Sequence, residues 1–163
     1  MKLLFTRTLV LLALISYLLP GQLLAEDAAK LKVGDKAPTF FLRDLDGENF
    51  FLSRSLKQGK PILLSFFANW CKPCRAEIPE LEKLFKKEEF SDVELVYIHL
   101  NEPTIPKGSD KTDIETIRQS ETELSISHPI LYDRYGVVAT KYSATSLPTT
   151  IIIGPDGLVK YSH

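Results

Sequence analysis

Phe66-Phe67-Ala68-Asn69-Trp70-Cys71-Lys72-Pro73-Cys74-Arg75-Ala76-Glu77-Ile78-Pro79 holds both cysteines of the chain, three residues apart. An apolar run, Ile62 to Phe67, leads into it, and Ile78, Leu81, Leu84 and Phe85 recur at helical spacing behind it. The pattern predicts a buried strand, a short turn and a helix from Cys74 to about Glu88. A Cys-x-x-Cys pair in that setting reads as a dithiol redox motif. With Cys71 at the helix N-cap and Cys74 in the first turn, the Cys71 sulfur faces unpaired backbone N–H groups at the positive end of the helix dipole. Lys72 and Arg75 add positive charge nearby. Both effects favour thiolate, the nucleophilic form. Cys71 is therefore the candidate attacking cysteine, and Cys74, one turn in, the candidate resolving one. Pro73 suits a first turn because it lacks an N–H and has a fixed φ. Trp70 is placed to cover the sulfurs.

Two other uses of a cysteine pair weigh less. A zinc site needs four N, S or O ligands, and His99, His128 and His163 offer no paired spacing. No metal and no bound cofactor is expected, since dithiol exchange carries its electrons on sulfur. A structural staple across two intervening residues gains little closure entropy.

Trp-Cys-x-Pro-Cys-Arg-x-Glu-x-Pro resembles the TlpA/ResA branch of the thioredoxin superfamily, over about Val33 to Tyr161. The resemblance implies an α/β thioredoxin fold: a central mixed sheet flanked by helices, with an N-terminal β-hairpin. It implies an extracytoplasmic thiol–disulfide oxidoreductase, a protein-disulfide reductase acting on exported proteins. Apocytochrome c is a plausible substrate, through cytochrome c maturation, and a membrane thiol reductase the electron donor. In that family the Glu matching Glu77 is a functional acid beside the cysteines. Thioredoxins proper carry a buried Asp six residues before the first cysteine, where this chain has Ser65, so any proton-transfer role passes to Glu77. The bland reading of Glu77 is a first-turn acid that complements the helix dipole. In the superfamily the proline matching Pro148, within Ser146-Leu147-Pro148-Thr149-Thr150, is cis and faces the cysteine pair, and the resemblance implies the same here. Trp70, Pro73, Leu147 and Pro148 are then the expected substrate-binding surface. The family also continues into a closing helix, which is absent from this sequence; either the sequence is truncated or a partner or second copy covers that sheet face.

The chain has 163 residues, 25% of them charged and 44% hydrophobic, which fits one globular domain. Residues 1–25 carry Lys2 and Arg7, then an apolar run from Leu9 to Leu19, then Pro20-Gly21 and Leu23-Leu24-Ala25. That is the layout of a secretory signal; uncleaved, it becomes an anchor in the inner membrane. Residues 26–32 read as a flexible lead-in and 33–163 as the domain. Beyond Ala25, 18 basic residues stand against 21 acidic ones, a formal charge of −3. Nucleic-acid binding, which usually shows a basic face, is not expected. An exported chain whose two cysteines form one motif handles disulfides in other proteins more plausibly than it stores its own, so the expected location is periplasmic or otherwise extracytoplasmic.

Along the rest of the chain, Phe40-Phe41-Leu42 and Phe50-Phe51-Leu52 flank Asp46-Gly47 and predict a hairpin whose phenylalanines pack. Ser53 to Lys57 predicts a short helix, and Val93 to Leu100 a strand in which His99 is a packing residue. Asn101 to Asp110 reads as a loop, Lys111 to Glu121 as a surface helix, and Arg134 to Tyr142 as another helix. Thr149 to Ile153 and Leu158 to Tyr161 are the last strands. Two rival functions remain. A peroxiredoxin-like peroxidase shares the opening hairpin but places Thr and Pro before its attacking cysteine, where Phe66 to Trp70 supply neither. A non-catalytic thioredoxin-like binding module would keep its function without the cysteines.

Overall fold

The computed structural model describes residues 31–100 and 110–163. The signal or anchor at 1–25, most of the lead-in, and nearly all of the 101–110 loop lie outside the described residues. Strands β1 (Phe41–Arg43) and β2 (Asn49–Phe51) pair antiparallel as the expected hairpin, Phe41 opposite Phe51. Its turn is held by Asp44, whose Oδ1 accepts from the backbone N–H groups of Asp46 and Glu48. Helix α1 (Leu52–Leu56) follows directly.

The main sheet has five strands in the order β5-β4-β3-β6-β7. All six residues of β3 (Ile62–Phe67) are buried, as a near-continuous apolar run requires when both sheet faces are covered. Helix α2 (Lys72–Phe85) carries the chain across to β4 (Glu94–Leu100), which lies parallel to β3. Helix α3 (Asp110–Glu123) leads to β5 (Ile130–Asp133), parallel to β4. After α4 (Val137–Lys141), β6 (Thr149–Ile153) returns antiparallel to β3, and β7 (Val159–Ser162) antiparallel to β6. The sheet is therefore mixed, and the architecture is the expected thioredoxin fold.

Alternation along the strands divides the core in two. Leu63, Phe67, Leu95 and Tyr97 cluster with Ile78 of α2, Ile117 of α3 and both cysteines. Ile62, Leu64, Phe66, Val96 and Ile98 cluster on the other face with Val138 and Tyr142, with Phe40 just before the hairpin and with Leu52 at the start of α1. Tyr142 also ties the hairpin approach down, its hydroxyl donating to the Pro38 carbonyl at 2.7 Å.

Several boundaries and burials differ from the sequence expectations. Helix α2 ends at Phe85, and a separate 3-10 turn follows at Glu88–Phe90. Helix α4 starts at Val137 instead of Arg134, because Gly136 takes φ 65°, outside the right-handed region, and Asp133 caps the first turn by accepting from Val137 N and Ala139 N. Helix α3 is an amphipathic surface helix: Asp113, Ile117 and Ser120 are buried on one stripe, while Glu115, Gln119 and Glu123 are exposed. Phe41 is 61% exposed and stacks on Phe51, so not every hairpin phenylalanine is core. Leu31, placed in the lead-in, is buried, and its N–H donates to Ser143 Oγ. Among the described residues no helix is long and apolar enough to cross a membrane.

Candidate active site

The two cysteines sit where the sequence placed them. Cys71 is the N-cap of α2, with extended φ −79° and ψ 95°, and Cys74 lies in the first turn with a Pro beside it. They form a disulfide with S–S 1.99 Å, a dihedral of 77° and Cα atoms 5.3 Å apart. The Cys74 N–H donates to Cys71 Sγ at 3.2 Å, one of the orphan N–H groups of a helix start reaching the capping side chain. The turn is closed by Cys71 N–H to the Ala68 carbonyl at 3.0 Å and Arg75 N–H to the Cys71 carbonyl at 3.1 Å. Both cysteines are almost wholly buried, while Lys72, Pro73 and Trp70 beside them are exposed, Trp70 by 54%.

One electrostatic expectation needs correction. Arg75 does not simply add positive field at Cys71: its Nη2 is paired with Glu123 of α3 at 2.7 Å. Glu123 is held below the usual carboxylate range by that hydrogen bond, then by one from Gln119. The Cys74 N–H at the start of α2 is left directed at the Cys71 sulfur.

Glu77, one turn beyond Cys74, is half-buried, and its Oε1 accepts from Thr150 Oγ1 of β6 at 3.2 Å. Thr150 is in register with Ser65 of β3, which pairs in turn with Tyr97 of β4. A polar row, Tyr97–Ser65–Thr150, thus crosses the apolar sheet on the side covered by α2. The Tyr97 hydroxyl is fully buried, and burial, then the charges of Glu82 and Glu77, push its pKa up.

Leu147 and Pro148 lie at the start of β6, and the peptide bond between them is cis. Thr149, next in the chain, is opposite Phe66, and Phe67 opens the loop to Cys71. The proline and the disulfide therefore occupy the same end of the sheet. Leu147 packs against the cluster that contains Cys71 and Cys74.

Two constellations escaped the sequence reading. Glu82 is 3% exposed and accepts from Ser127 Oγ at 2.5 Å; its Oε1 lies 3.0 Å from His128 Nδ1. Burial alone would raise its pKa, but the hydrogen bonds from Ser127 and His128 outweigh that and lower it. His99, 1% exposed, places Nε2 at 3.2 Å from Asn69 Oδ1. Partners separated by 30 to 46 residues leave no local signal in sequence. A groove of about 1000 Å³ runs between the hairpin and the β5–α4 corner, lined by residues such as Phe41, Tyr132 and Val138.

Comparison with known proteins agrees with this geometry. The family model described as AhpC/TSA family matches residues 33–162. A thiol-disulfide oxidoreductase ResA from Geobacillus kaustophilus is 33% identical over 93% of this chain and 80% of its own length. The thioredoxin-like protein YneN of Bacillus subtilis is 35% identical over 82% of this chain and 72% of its own. Among solved structures, a putative thiol:disulfide interchange protein DsbE from Chlorobium tepidum superposes with a TM-score of 0.69 at 25% identity, covering 82% of this chain and 86% of that one. The chain belongs to the AhpC/TSA family of the thioredoxin superfamily, among its ResA-like members. Its class is thiol–disulfide oxidoreductase, and its substrates are accordingly proteins with disulfides.

Proposed function

We propose that this chain is an extracytoplasmic dithiol reductant of exported proteins, with apocytochrome c as a candidate substrate and a membrane thiol reductase as its source of electrons. Residues 1–25 would export it and, if uncleaved, anchor it to the inner membrane. The observation that carries the site assignment is the Cys74 N–H aimed at Cys71 Sγ at the N-terminus of α2. In the reduced protein that donor and the helix dipole stabilise a Cys71 thiolate over its thiol.

The reaction proceeds in two exchanges. The Cys71 thiolate attacks one sulfur of a target disulfide; the target S–S bond breaks, and its other sulfur leaves as a thiolate. Cys74, deprotonated, then attacks Cys71 Sγ in the mixed disulfide, closing the Cys71–Cys74 bond and releasing the second target sulfur. Two electrons pass from the enzyme to the target, and the two protons of the dithiol end on the target thiols. Glu77, held by Thr150 near the first turn, is the group proposed to take the proton from Cys74. Trp70, Pro73, Leu147 and Pro148 offer the contact surface. Pro148 has no N–H, so the backbone at Leu147 is available to an extended target segment in the manner of strand addition. The likeness to ResA-like proteins is what supports the reductive direction of electron flow.

The test is the equilibrium reduction potential of the Cys71–Cys74 pair in a glutathione or dithiothreitol buffer. A value near that of thioredoxin, about −270 mV, supports the reductant reading. A value near that of DsbA, about −120 mV, overturns it in favour of an oxidant.

A further inference from the structure

Asn69 stands two residues before Cys71, in the loop leaving β3, and is gripped from two sides. Its Nδ2 donates to the Thr116 carbonyl of α3 at 3.4 Å, and its Oδ1 faces His99 Nε2 of β4 at 3.2 Å. An amide whose nitrogen is turned to a carbonyl presents only its oxygen on the other side, so His99 must carry a proton on Nε2. The ring meets that need. It is buried edge-on against Phe67, with centroids 4.9 Å apart, and tilted against Tyr132 at 6.1 Å. Burial pushes its pKa down to about 3, which keeps the imidazole neutral. The loop it reaches is tight: Cys71 N–H bonds the Ala68 carbonyl across Asn69 and Trp70 at 3.0 Å, so a shift at Asn69 passes directly to Cys71.

We propose that His99 is a positioning residue for disulfide exchange: through Asn69 it fixes the Ala68–Trp70 loop between β4 and α3, and thereby sets where Cys71 presents its sulfur to the Cys74 N–H and to an incoming disulfide. The inference rests on Cys71 being the attacking cysteine. A single N–H at 3.2 Å supports the thiolate, and charge-assisted hydrogen bonds weaken steeply as geometry degrades. Loosening the loop makes the reduced form less stable relative to the disulfide, so the protein becomes more reducing and its thiolate scarcer.

The test uses four variants: His99→Leu, His99→Gln, Asn69→Ala and the His99→Leu/Asn69→Ala pair. Two quantities are read for each, the equilibrium constant with glutathione and the rate at which iodoacetamide alkylates the reduced protein at neutral pH. His99→Leu is expected to favour the disulfide by about threefold or more, about 14 mV at about 30 mV per tenfold, and to slow alkylation by a similar factor. His99→Gln, which keeps a donor, is expected to recover most of both. Asn69→Ala, which also removes the bond to the Thr116 carbonyl, should shift both readouts at least as far as His99→Leu, and the pair should be no worse than Asn69→Ala alone, because His99 acts through Asn69. A folded His99→Leu with unchanged potential and alkylation rate overturns the proposal, as does a shift that Gln fails to rescue, which marks simple loss of packing. If His99→Leu does not fold, Asn69→Ala decides: unchanged potential there overturns the proposal equally. The underlying assignment fails separately, if mass mapping of the wild-type protein finds Cys74 alkylated before Cys71.

Discussion

His128 Nδ1 lies 3.0 Å from the Glu82 carboxylate, two helical turns along the buried stripe of α2 that begins at Cys74. The contact pins the middle of the redox helix to the segment that enters β5, with Ser127 donating to the same carboxylate. Because Glu82 titrates below its ordinary value of 4.5 in the native protein, its contribution to stability is complete above that pH and is lost as pH falls through the lowered native value. Glu82→Gln should cost about 1–3 kcal/mol at neutral pH and flatten the acid limb of a stability–pH profile. Urea unfolding between pH 3 and 7 measures both, and an unchanged acid limb would count against the assignment.

The two sulfurs should separate cleanly by role. Cys71→Ser is expected to abolish exchange with a protein disulfide. Cys74→Ser should still attack but stall, accumulating a mixed disulfide visible by non-reducing electrophoresis and mass spectrometry. Accumulation in the opposite variant would reverse the roles of the two residues.

Glu77→Gln preserves the shape of the side chain and its bond to Thr150 while removing the group proposed to accept a proton. Resolution of a preformed mixed disulfide should slow by about a hundredfold, the lower end for general acid–base catalysis, with little change in the initial attack. Stopped-flow measurement of the two steps checks this. Equal slowing of both steps would indicate disturbance of the helix start.

Glu123 competes with Cys71 for the field of Arg75. Releasing Arg75 by Glu123→Gln should move the pH midpoint of Cys71 alkylation slightly lower at low ionic strength. The shift should vanish near 1 M salt, where the Debye length is about 3 Å. A shift that survives high salt would point to a structural change instead.

Ile117 is 1% exposed in the cluster that contains both cysteines. Ile117→Ala should therefore cost about 2–5 kcal/mol, far more than a substitution on a solvated helix. Chemical denaturation gives the number, and a cost under about 0.5 kcal/mol would be typical of a surface position instead.

The local grammar of the chain was legible from residues alone. The near-continuous apolar run Ile62 to Phe67, broken only by Ser65, marks a strand buried on both faces, because a strand with one solvated face alternates apolar with polar residues. Cys71-x-x-Cys74 between that strand and a helical pattern suits the N-cap and first turn of a helix, where free N–H groups can meet a side chain. Asp46-Gly47 marks a hairpin because glycine takes the positive φ, 86° at Gly47. These features depend on neighbours within a few residues. What tertiary structure decided was every relation between distant segments. The charged surface of α3 hid the stripe through Ile117, since burial there is set by how the helix lies on the sheet. Arg75 met Glu123, Glu82 met His128, and His99 met Asn69 because the assembled sheet, in the order β5-β4-β3-β6-β7, sets distant segments side by side. Hydrogen bonds and ion pairs act over a few ångströms in space, whatever the distance along the chain, so their partners emerge only when the sheet is assembled.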